Sequence, residues 1–121
     1  MLLTDSLVQD NFSNGRTADE LALSFRNSQA VAFAWHNDVV VGKARALSDG
    51  VCNAYVVDVW TQSRYRKQGI ASRLMAELEA QLEGQHVFLF TDDAVEFYER
   101  IGYARRGIGF ERVVGRWLRR R

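Results

Sequence analysis

The stretch Val56–Glu83, VVDVWTQSRYRKQGIASRLMAELEAQLE, decides the fold of this chain. A strand runs into it over Ala54–Thr61, which is dense in Val, Tyr and Trp and has no break. A helix follows, because one apolar face recurs at helical spacing. The residues of that face are Ile70, Leu74, Met75, Leu78 and Leu82. Gly84 is a suitable C-terminal cap. The stretch therefore predicts a strand, a cationic glycine turn and a helix in direct succession.

The start of this helix carries an unusual charge. A helix N-terminus has partial positive charge and unpaired N–H groups, so it usually holds Asp, Glu, Ser or Thr. This one holds Arg64, Arg66 and Lys67 instead. A phosphate would supply the missing negative charge and bond the N–H groups of residues 68–71, with Gly69 allowing close approach. A solvated basic loop explains the charges equally well, so both interpretations stay open on the charges alone.

Two segments together resemble the GNAT N-acetyltransferases. Arg66–Ala71, RKQGIA, resembles the pyrophosphate loop of that family, which reads Arg or Gln, two residues, Gly, one residue, then Gly or Ala. Ala94–Tyr103, AVEFYERIGY, resembles the family segment Ala-x-x-Phe-Tyr-x-x-x-Gly-aromatic at the expected distance downstream. The resemblance extends over residues 30–104 and implies the GNAT fold for them.

The resemblance implies transfer of an acetyl group from acetyl-CoA to an amine, by direct attack in a ternary complex and without a metal. It places the pyrophosphate on the loop and the pantetheine arm on the backbone of Val59–Thr61 as an added strand. The same backbone N–H groups would polarise the thioester carbonyl. The residues assigned to acetyl-CoA are Val59, Trp60, Thr61, Arg66, Lys67, Gln68, Gly69, Ile70, Ala71, Ser72 and Thr91.

Two residues are candidates for proton transfer. Tyr98 resembles the tyrosine that protonates the leaving thiolate, and the alternative is a core aromatic beside Phe97. Asp58 lies on the central strand and is the best candidate for the base that deprotonates the amine. The alternative for Asp58 is a structural hydrogen-bond partner for the loop, and the sequence favours neither role.

The whole chain predicts an α/β (α+β) GNAT-type fold with a mixed, mostly antiparallel sheet of about six strands and about three to four helices. A capping box, Thr17 with Glu20, begins a helix that ends near Asn27. The predicted strands are Gln29–His36, Val39–Leu47, Val51–Thr61, His86–Thr91, Tyr103–Ile108 and Glu111–Leu118. The third and fourth should form a central, splayed parallel pair, since a helix crosses over between them.

Local signals refine this picture. Asn37 with Asp38 suits a hairpin turn of positive φ, and Gly42 inside a strand predicts a bulge or close packing. Asp93 with Glu96 predicts a second capping box, before a short helix over residues 94–101. A short helix is also predicted in the first residues. Too few residues precede Thr17 for the first strand of the family, so that strand is expected to be absent.

The composition fits a single domain over residues 1–121, with 47% hydrophobic residues and one cysteine. The start of the chain has no basic region like that of a signal peptide, and no apolar run is long enough to span a membrane, so a cytoplasmic location is expected. His36 and His86 lack neighbours at metal-ligand spacing, so no metal site is expected.

The charge is uneven along the chain. From Arg100 onward there are eight Arg and one acid, Glu111, whereas residues 1–99 have eight Lys and Arg against fourteen Asp and Glu. An arginine-rich C-terminal segment can bind nucleic acid. Aromatic residues interleaved with the basic ones and a helix-turn-helix signal are lacking here, so a nucleic-acid partner is not expected. The expected partners are a small-molecule or peptide amine as acceptor and a second copy, through the apolar final strands.

The sequence leaves two functions open within the resemblance. One is an N-acetyltransferase, and the other is a non-catalytic domain that binds CoA as a regulator or sensor. The basic loop supports both, and Tyr98 favours the enzyme. Asp92, Asp93 and Glu96 suggest a cationic amine as acceptor but do not identify it.

Overall fold

The computed structural model describes residues 14–119. The helices are α1 (Ala18–Arg26), α2 (Ile70–Ala80) and α3 (Val95–Arg100). The strands are β1 (Ala30–His36), β2 (Val39–Ser48), β3 (Asn53–Thr61) and β4 (His86–Phe88). Short 3-10 turns occupy Ser63–Tyr65 and Trp117–Arg119. The chain divides into two compact units between Leu89 and Phe90, and each is described by itself.

Helix α1 begins at the predicted capping box. The backbone N–H of Glu20 donates to the Thr17 hydroxyl at 3.1 Å, and the N–H of Thr17 donates to the Glu20 carboxylate at 2.8 Å. These two bonds satisfy donors that a helix start otherwise leaves unpaired. The helix buries Leu21 against Trp60 of β3, which seats α1 on one face of the sheet.

Four strands form the sheet of the first unit, in the order β1-β2-β3-β4. β1 and β2 are antiparallel and are joined at Asn37 and Asp38, whose φ values of 49° and 68° confirm the predicted hairpin turn. β2 and β3 are also antiparallel. The part of the chain described here therefore has the mostly antiparallel sheet expected from the sequence.

Gly42 lets α2 approach the opposite face of the sheet closely. A Cβ atom on Gly42 would lie 3.1 Å from side-chain carbons of both Ile70 and Leu74, and 3.3 Å from the Cβ of Ala34. Close packing at this glycine was one of the two sequence predictions, and it is confirmed. Leu74, Met75 and Leu78 of α2 are buried over the strands, as their helical spacing predicts.

β3 and β4 are parallel, as the crossover through α2 requires. Their ladder has three pairs, from Asn53 with His86 to Tyr55 with Phe88, whereas β3 continues to Thr61. β4 is therefore shorter than the predicted strand. The two strands pair at their N-terminal ends, and β3 extends well beyond the last pair.

The second unit differs from the prediction in two places. α3 has no side-chain cap from Asp93; instead the Thr91 hydroxyl accepts from the N–H of Ala94 at 3.0 Å, so the predicted Asp93 capping box is wrong. Residues 103–116 form neither helix nor strand, so the two predicted final strands are wrong as well. The count of about six strands is not confirmed, since the described residues contain four.

Two expectations concern the first residues of the chain. The short N-terminal helix and the missing first strand fall on residues 1–13, which lie outside the described residues. Between residues 14 and 119 no helix is long and apolar enough to cross a membrane.

Candidate active site

The basic loop, Arg66–Ser72, links the end of β3 to the start of α2. Lys67 and Gly69 both take left-handed backbone conformations, with φ values of 64° and 82°. The Arg66 side chain turns back, and its Nε donates to the Thr61 carbonyl at 2.9 Å. This bond fixes the loop to the strand that precedes it. Gly69 is the residue that most needs to be glycine, because its φ is costly for a residue with a Cβ.

The first turn of α2 contains no acidic residue, and no described side chain caps it. Gly69 is the N-cap, and a Cβ built on it would meet nothing within 4 Å. The helix start therefore offers backbone N–H groups, partial positive charge and open space in one place. These are the features that bind a phosphate at a helix N-terminus, so the residues present fit the pyrophosphate of a coenzyme.

The last three residues of β3, Val59–Thr61, are called the β3 end below. Trp60 is 2% exposed and packs against Leu21, with Val40 beside it. The Thr61 hydroxyl is buried, and no partner for it is present among residues 14–119. The β3 end lies beyond the last pair with β4, at Tyr55. This is the position in which a ligand with amide groups could add to the strand.

Asp58 lies in a β-bulge immediately before the β3 end. Lys43 of β2 pairs with Trp60, and Arg45 pairs with Val57, so Asp58 and Val59 together lie opposite one residue of β2. Asp58 has φ +60°, which few residues other than glycine adopt. Oδ2 of Asp58 accepts from Nε of Arg45 at 2.7 Å and from Nη1 of Arg16 at 2.8 Å.

The environment keeps Asp58 ionised. Burial alone would raise the pKa of Asp58, but the hydrogen bond from Arg16, the charge of Lys43 and the hydrogen bond from Arg45 outweigh it and lower the pKa. A carboxylate with a lowered pKa accepts a proton poorly, and the bonds from Arg16 and Arg45 both end on the same oxygen of Asp58. This geometry favours the structural role for Asp58 over the role of base.

Lys43 is fully buried beside this group. Its ammonium lies 4.2 Å from the centre of the Phe25 ring, a cation–π contact. Burial lowers the pKa of Lys43 to about 8, although Asp58 raises it and Arg16 and Arg45 lower it further. Lys43, Arg45, Arg16 and Asp58 thus form one buried charged cluster between α1 and the sheet.

Tyr98 lies on α3, in the second unit. Its ring meets those of Phe97 and Tyr103 edge to face, with centroids 4.9 and 5.9 Å away. Burial raises the pKa of Tyr98 above its ordinary value, and the charge of Asp93 adds to this effect. Both causes favour the protonated phenol. The ring contacts also fit the alternative in which Tyr98 is a core aromatic.

The other predicted residues of the second unit lie near the start of α3. The hydroxyl of Thr91 already accepts the N–H of Ala94, so its lone pairs are partly used within the protein. Asp92, Asp93 and Glu96 are exposed. No group of three His, Cys, Asp or Glu is placed to hold a metal ion anywhere in residues 14–119.

An open groove runs beside the start of α2. It is lined by Val31–Trp35 of β1 and by the face of the loop and helix that carries Gln68, Gly69 and Arg73. The β3 end does not line this groove. The groove therefore borders the basic loop but is separate from the position where a thioester would add to β3.

Comparison with known proteins identifies the family of the chain. The model of the acetyltransferase (GNAT) family matches residues 3–103.

The chain belongs to the GNAT acetyltransferase family.

Solved structures agree with this membership. A GNAT family acetyltransferase from Streptococcus pneumoniae TIGR4 is 25% identical with a TM-score of 0.77, over 93% of this chain and 91% of that one. A proposed acetyltransferase from Deinococcus radiodurans R1 is 32% identical with a TM-score of 0.72, over 78% of this chain and 68% of that one. No curated protein sequence matched the chain.

A more distant GNAT structure shares the fold alone. AAC(6')-Iy, solved with the bisubstrate analogue CoA-S-monomethyl-acetylneamine, is 16% identical with a TM-score of 0.61, over 83% of each chain. Membership of the GNAT family implies acetyl transfer that depends on acyl-CoA, and it does not identify the acceptor.

The buried charged cluster around Asp58 is not predicted from the sequence. Asp58 was identified, but Arg16, Lys43 and Arg45 were not. A signal was present, because β2 reads VVVGKARALS and places two cations at alternate positions of an otherwise apolar strand. Alternate residues of a strand share one face, so Lys43 and Arg45 must lie on the same face of the sheet. Two cations on one face need either a buried carboxylate such as Asp58 or contact with water.

The lowered pKa of Lys43 predicts how stability changes with pH. The unfolded chain holds a proton on this amine up to the ordinary lysine pKa of 10.5, whereas the folded protein loses it near pH 8. The unfolded state then binds more protons between these values, so the free energy of unfolding should rise with pH. Between pH 7 and pH 9.5 the rise should be about 2 kcal/mol, since about 1.5 pH units lie above the pKa of the folded protein and one unit corresponds to about 1.4 kcal/mol. Urea unfolding at pH 7 and pH 9.5 measures it.

The variant Lys43→Met should remove this rise, because it keeps the aliphatic length without the amine. Lys67→Met is the control, since Lys67 is the other lysine and is exposed. An equal pH dependence in wild type and Lys43→Met would contradict the assignment.

Proposed function

We propose that the chain is an acetyl-CoA-dependent N-acetyltransferase that transfers the acetyl group to an amine by direct attack in a ternary complex. The observation that carries the proposal is the uncapped start of α2 behind the left-handed Gly69, in a chain that belongs to the GNAT family. A helix start with basic residues and no acid is poorly stabilised by itself, and an anionic ligand corrects this.

Two segments of the first unit would bind different parts of the coenzyme. The basic loop would bind the pyrophosphate through its N–H groups and the charge of Lys67. The β3 end would hydrogen-bond the pantetheine amides through its backbone, because it continues past the ladder with β4. Its N–H groups would also stabilise the negative charge that develops on the thioester oxygen.

In the chemical step, the nitrogen of the amine forms a bond to the thioester carbonyl carbon, and the carbon–sulfur bond breaks. The leaving thiolate takes a proton, and the nitrogen releases one to water. We assign the first proton to the Tyr98 hydroxyl because of its resemblance to the tyrosine of the family. The hydroxyl is protonated at neutral pH even at the ordinary pKa of tyrosine, and burial raises that pKa, which makes the hydroxyl a weaker acid. Thr91 is retained as a contact for the pantetheine arm, through the part of its hydroxyl that is not bonded to the N–H of Ala94.

The acceptor is an amine whose identity the chain does not reveal. GNAT structures of low identity are described as acting on aminoglycosides or on glucosamine-6-phosphate, and these descriptions apply to those proteins. Exposed Asp92, Asp93 and Glu96 favour an acceptor with positive charge. A panel of amines, polyamines, peptides and aminoacyl-tRNA, tested with acetyl-CoA by thiol release, would identify the class.

The change Gly69→Glu should abolish acetyl-CoA binding. It adds a negative charge at the phosphate position and a side chain at φ +82°. Calorimetry with acetyl-CoA measures the loss. Gly84→Glu is a matched control, because Gly84 has φ +85°, and a Cβ there also meets nothing within 4 Å. The control shares the strain and the charge but not the loop, so it should bind normally. Unchanged affinity in Gly69→Glu would show that the phosphate site lies elsewhere.

The change Tyr98→Phe should leave acetyl-CoA affinity nearly unchanged and slow the chemical step about 10²–10⁴-fold, the usual effect of losing a positioned acid. Turnover per folded molecule and melting temperature are measured together, on an acceptor from the panel. Tyr103→Phe is the control, since it removes a hydroxyl from the neighbouring ring. Normal turnover in Tyr98→Phe would favour the non-catalytic CoA-binding function instead.

We also propose that two copies associate through residues 108–114. Ile108, Phe110 and Val114 are 85%, 90% and 87% exposed, which is unusual for apolar side chains so close in sequence. Light scattering at micromolar concentration should find a dimer, and Phe110→Glu should give a monomer. Val51→Glu is the control, because Val51 is 73% exposed in the other unit. A monomeric wild type would contradict this proposal.

A further inference from the structure

We propose that Asp58, held by Arg16 and Arg45, is a positioning residue that fixes the β3 end in the geometry needed to receive the thioester arm. This inference rests on the proposed function, since it concerns how the same site is kept in shape. Asp58 does not touch the substrate in this account. It acts through the backbone of the residues that follow it.

The bulge at Asp58 sets the register of the β3 end. Without the extra residue, Trp60 would lie opposite Gly42, whereas it pairs with Lys43. A shift of one residue turns every following side chain to the other face of the sheet. The bulge therefore directs the Trp60 ring to the face where Leu21 buries it, and it sets which backbone groups of Val59–Thr61 point away from β2.

The bulge carries a conformational cost that the ion pairs offset. A left-handed backbone is unfavourable at a residue other than glycine and persists where its surroundings enforce it. At Asp58 the surroundings are two guanidinium groups on one carboxylate oxygen, at 2.7 and 2.8 Å. The three side chains are only 9–11% exposed, so these bonds are short, charge-assisted and shielded from water.

The two arginines connect the bulge to different elements. Arg45 lies on β2, and its Nη1 also donates to the Ser28 hydroxyl at 3.3 Å, beyond the end of α1. Arg16 lies just before the capping box of α1. The Asp58 carboxylate thus connects β3 to β2 through Arg45, and to the segment just before α1 through Arg16. Movement of this carboxylate would move Val59 and Trp60, which follow Asp58 directly. Thr61 is held separately, by its pair with Gly42 and by the bond from Arg66 of the basic loop.

A role as base predicts something different from a role in positioning. A base acts on the amine, so its loss leaves the affinity for CoA unchanged. A positioning residue at the β3 end acts on the pantetheine arm, so its loss weakens CoA even when no acceptor is present. The nucleotide part of CoA lies on the basic loop in the proposed function, so it should bind equally well in both cases.

The test compares two ligands and needs no acceptor. Calorimetry measures the affinity of wild type and Asp58→Asn for CoA and for 3′-phospho-ADP, which lacks the pantetheine arm. Asparagine keeps the size and the tolerance for φ > 0 but loses the charge. We expect CoA to bind about 10-fold more weakly, as for the loss of one or two hydrogen bonds, and 3′-phospho-ADP to bind within about 2-fold of wild type.

Asp49→Asn is the matched control. Asp49 is also a structural carboxylate, at the opposite end of β3, where it accepts from the N–H groups of Val51, Cys52 and Asn53. This control should lower the melting temperature without changing the ratio of the two affinities. If Asp58→Asn fails to fold, Arg45→Lys tests the same ratio, since lysine keeps the charge but lacks the Nε donor.

The outcomes separate the two proposals. A wild-type protein that binds neither ligand overturns the proposed function and this inference with it. A wild type that binds both, with the ratio unchanged in Asp58→Asn and in Arg45→Lys, overturns this inference alone. A selective loss of CoA affinity in either variant, absent in Asp49→Asn, supports it.

Discussion

The close approach of α2 to the sheet at Gly42 is the constraint on which the candidate site depends. Gly42 pairs with Thr61 at the β3 end, and a Cβ on Gly42 would lie 3.1 Å from Ile70, the first residue of α2. One glycine therefore brings the helix start over the last residue of β3. The loop that would bind phosphate and the strand that would bind a thioester arm are adjacent because no side chain separates them. The bond from Arg66 to the Thr61 carbonyl adds a polar connection to this apolar contact.

The sequence predicted those parts of the fold that local patterns determine. The strand, basic loop and helix of Ala54–Leu82 could be read directly, because periodicity and glycine positions are properties of neighbouring residues. The box at Thr17 was also right, since both of its bonds lie within one turn. Two predictions from local sequence patterns were wrong. The predicted cap from Asp93 is absent, since α3 has no side-chain cap and the Thr91 hydroxyl bonds the N–H of Ala94 before the helix. Residues 103–116 have the composition of strands but do not form them. A strand needs a partner for its backbone groups, and composition does not supply one.

For a similar reason, the basic loop of the candidate site could be predicted from the sequence, but the environment of Asp58 could not. The basic loop carries its own evidence, since charge and helix position are adjacent in sequence. The environment of Asp58 depends on Arg16 and Arg45, which are 42 and 13 residues away. Its left-handed backbone lies inside a valine-rich strand, where local propensity gives no sign of it. The sequence therefore identified a carboxylate at the right position, but its role depends on contacts that only the tertiary structure brings together.

The protein environment moves the two candidate proton-transfer groups in opposite directions. Tyr98 has a raised pKa and holds its proton, while Asp58 has a lowered pKa and holds its charge. Groups whose environments separate their pKa values in this way have distinct roles. A phenol with a raised pKa holds its proton more tightly, so transfer of that proton to a thiolate, whose conjugate acid has a pKa of about 8.5, requires the bound coenzyme to favour the transfer. A carboxylate that stays charged between two guanidinium groups is suited to hold them, and it is a poor acceptor for the proton of an ammonium group. The proposed chemistry therefore does not use Asp58 as the base. An acceptor amine that arrives as an ammonium group must lose one proton to water before it attacks the thioester, and the attacking nitrogen loses a second proton to water as the amide forms.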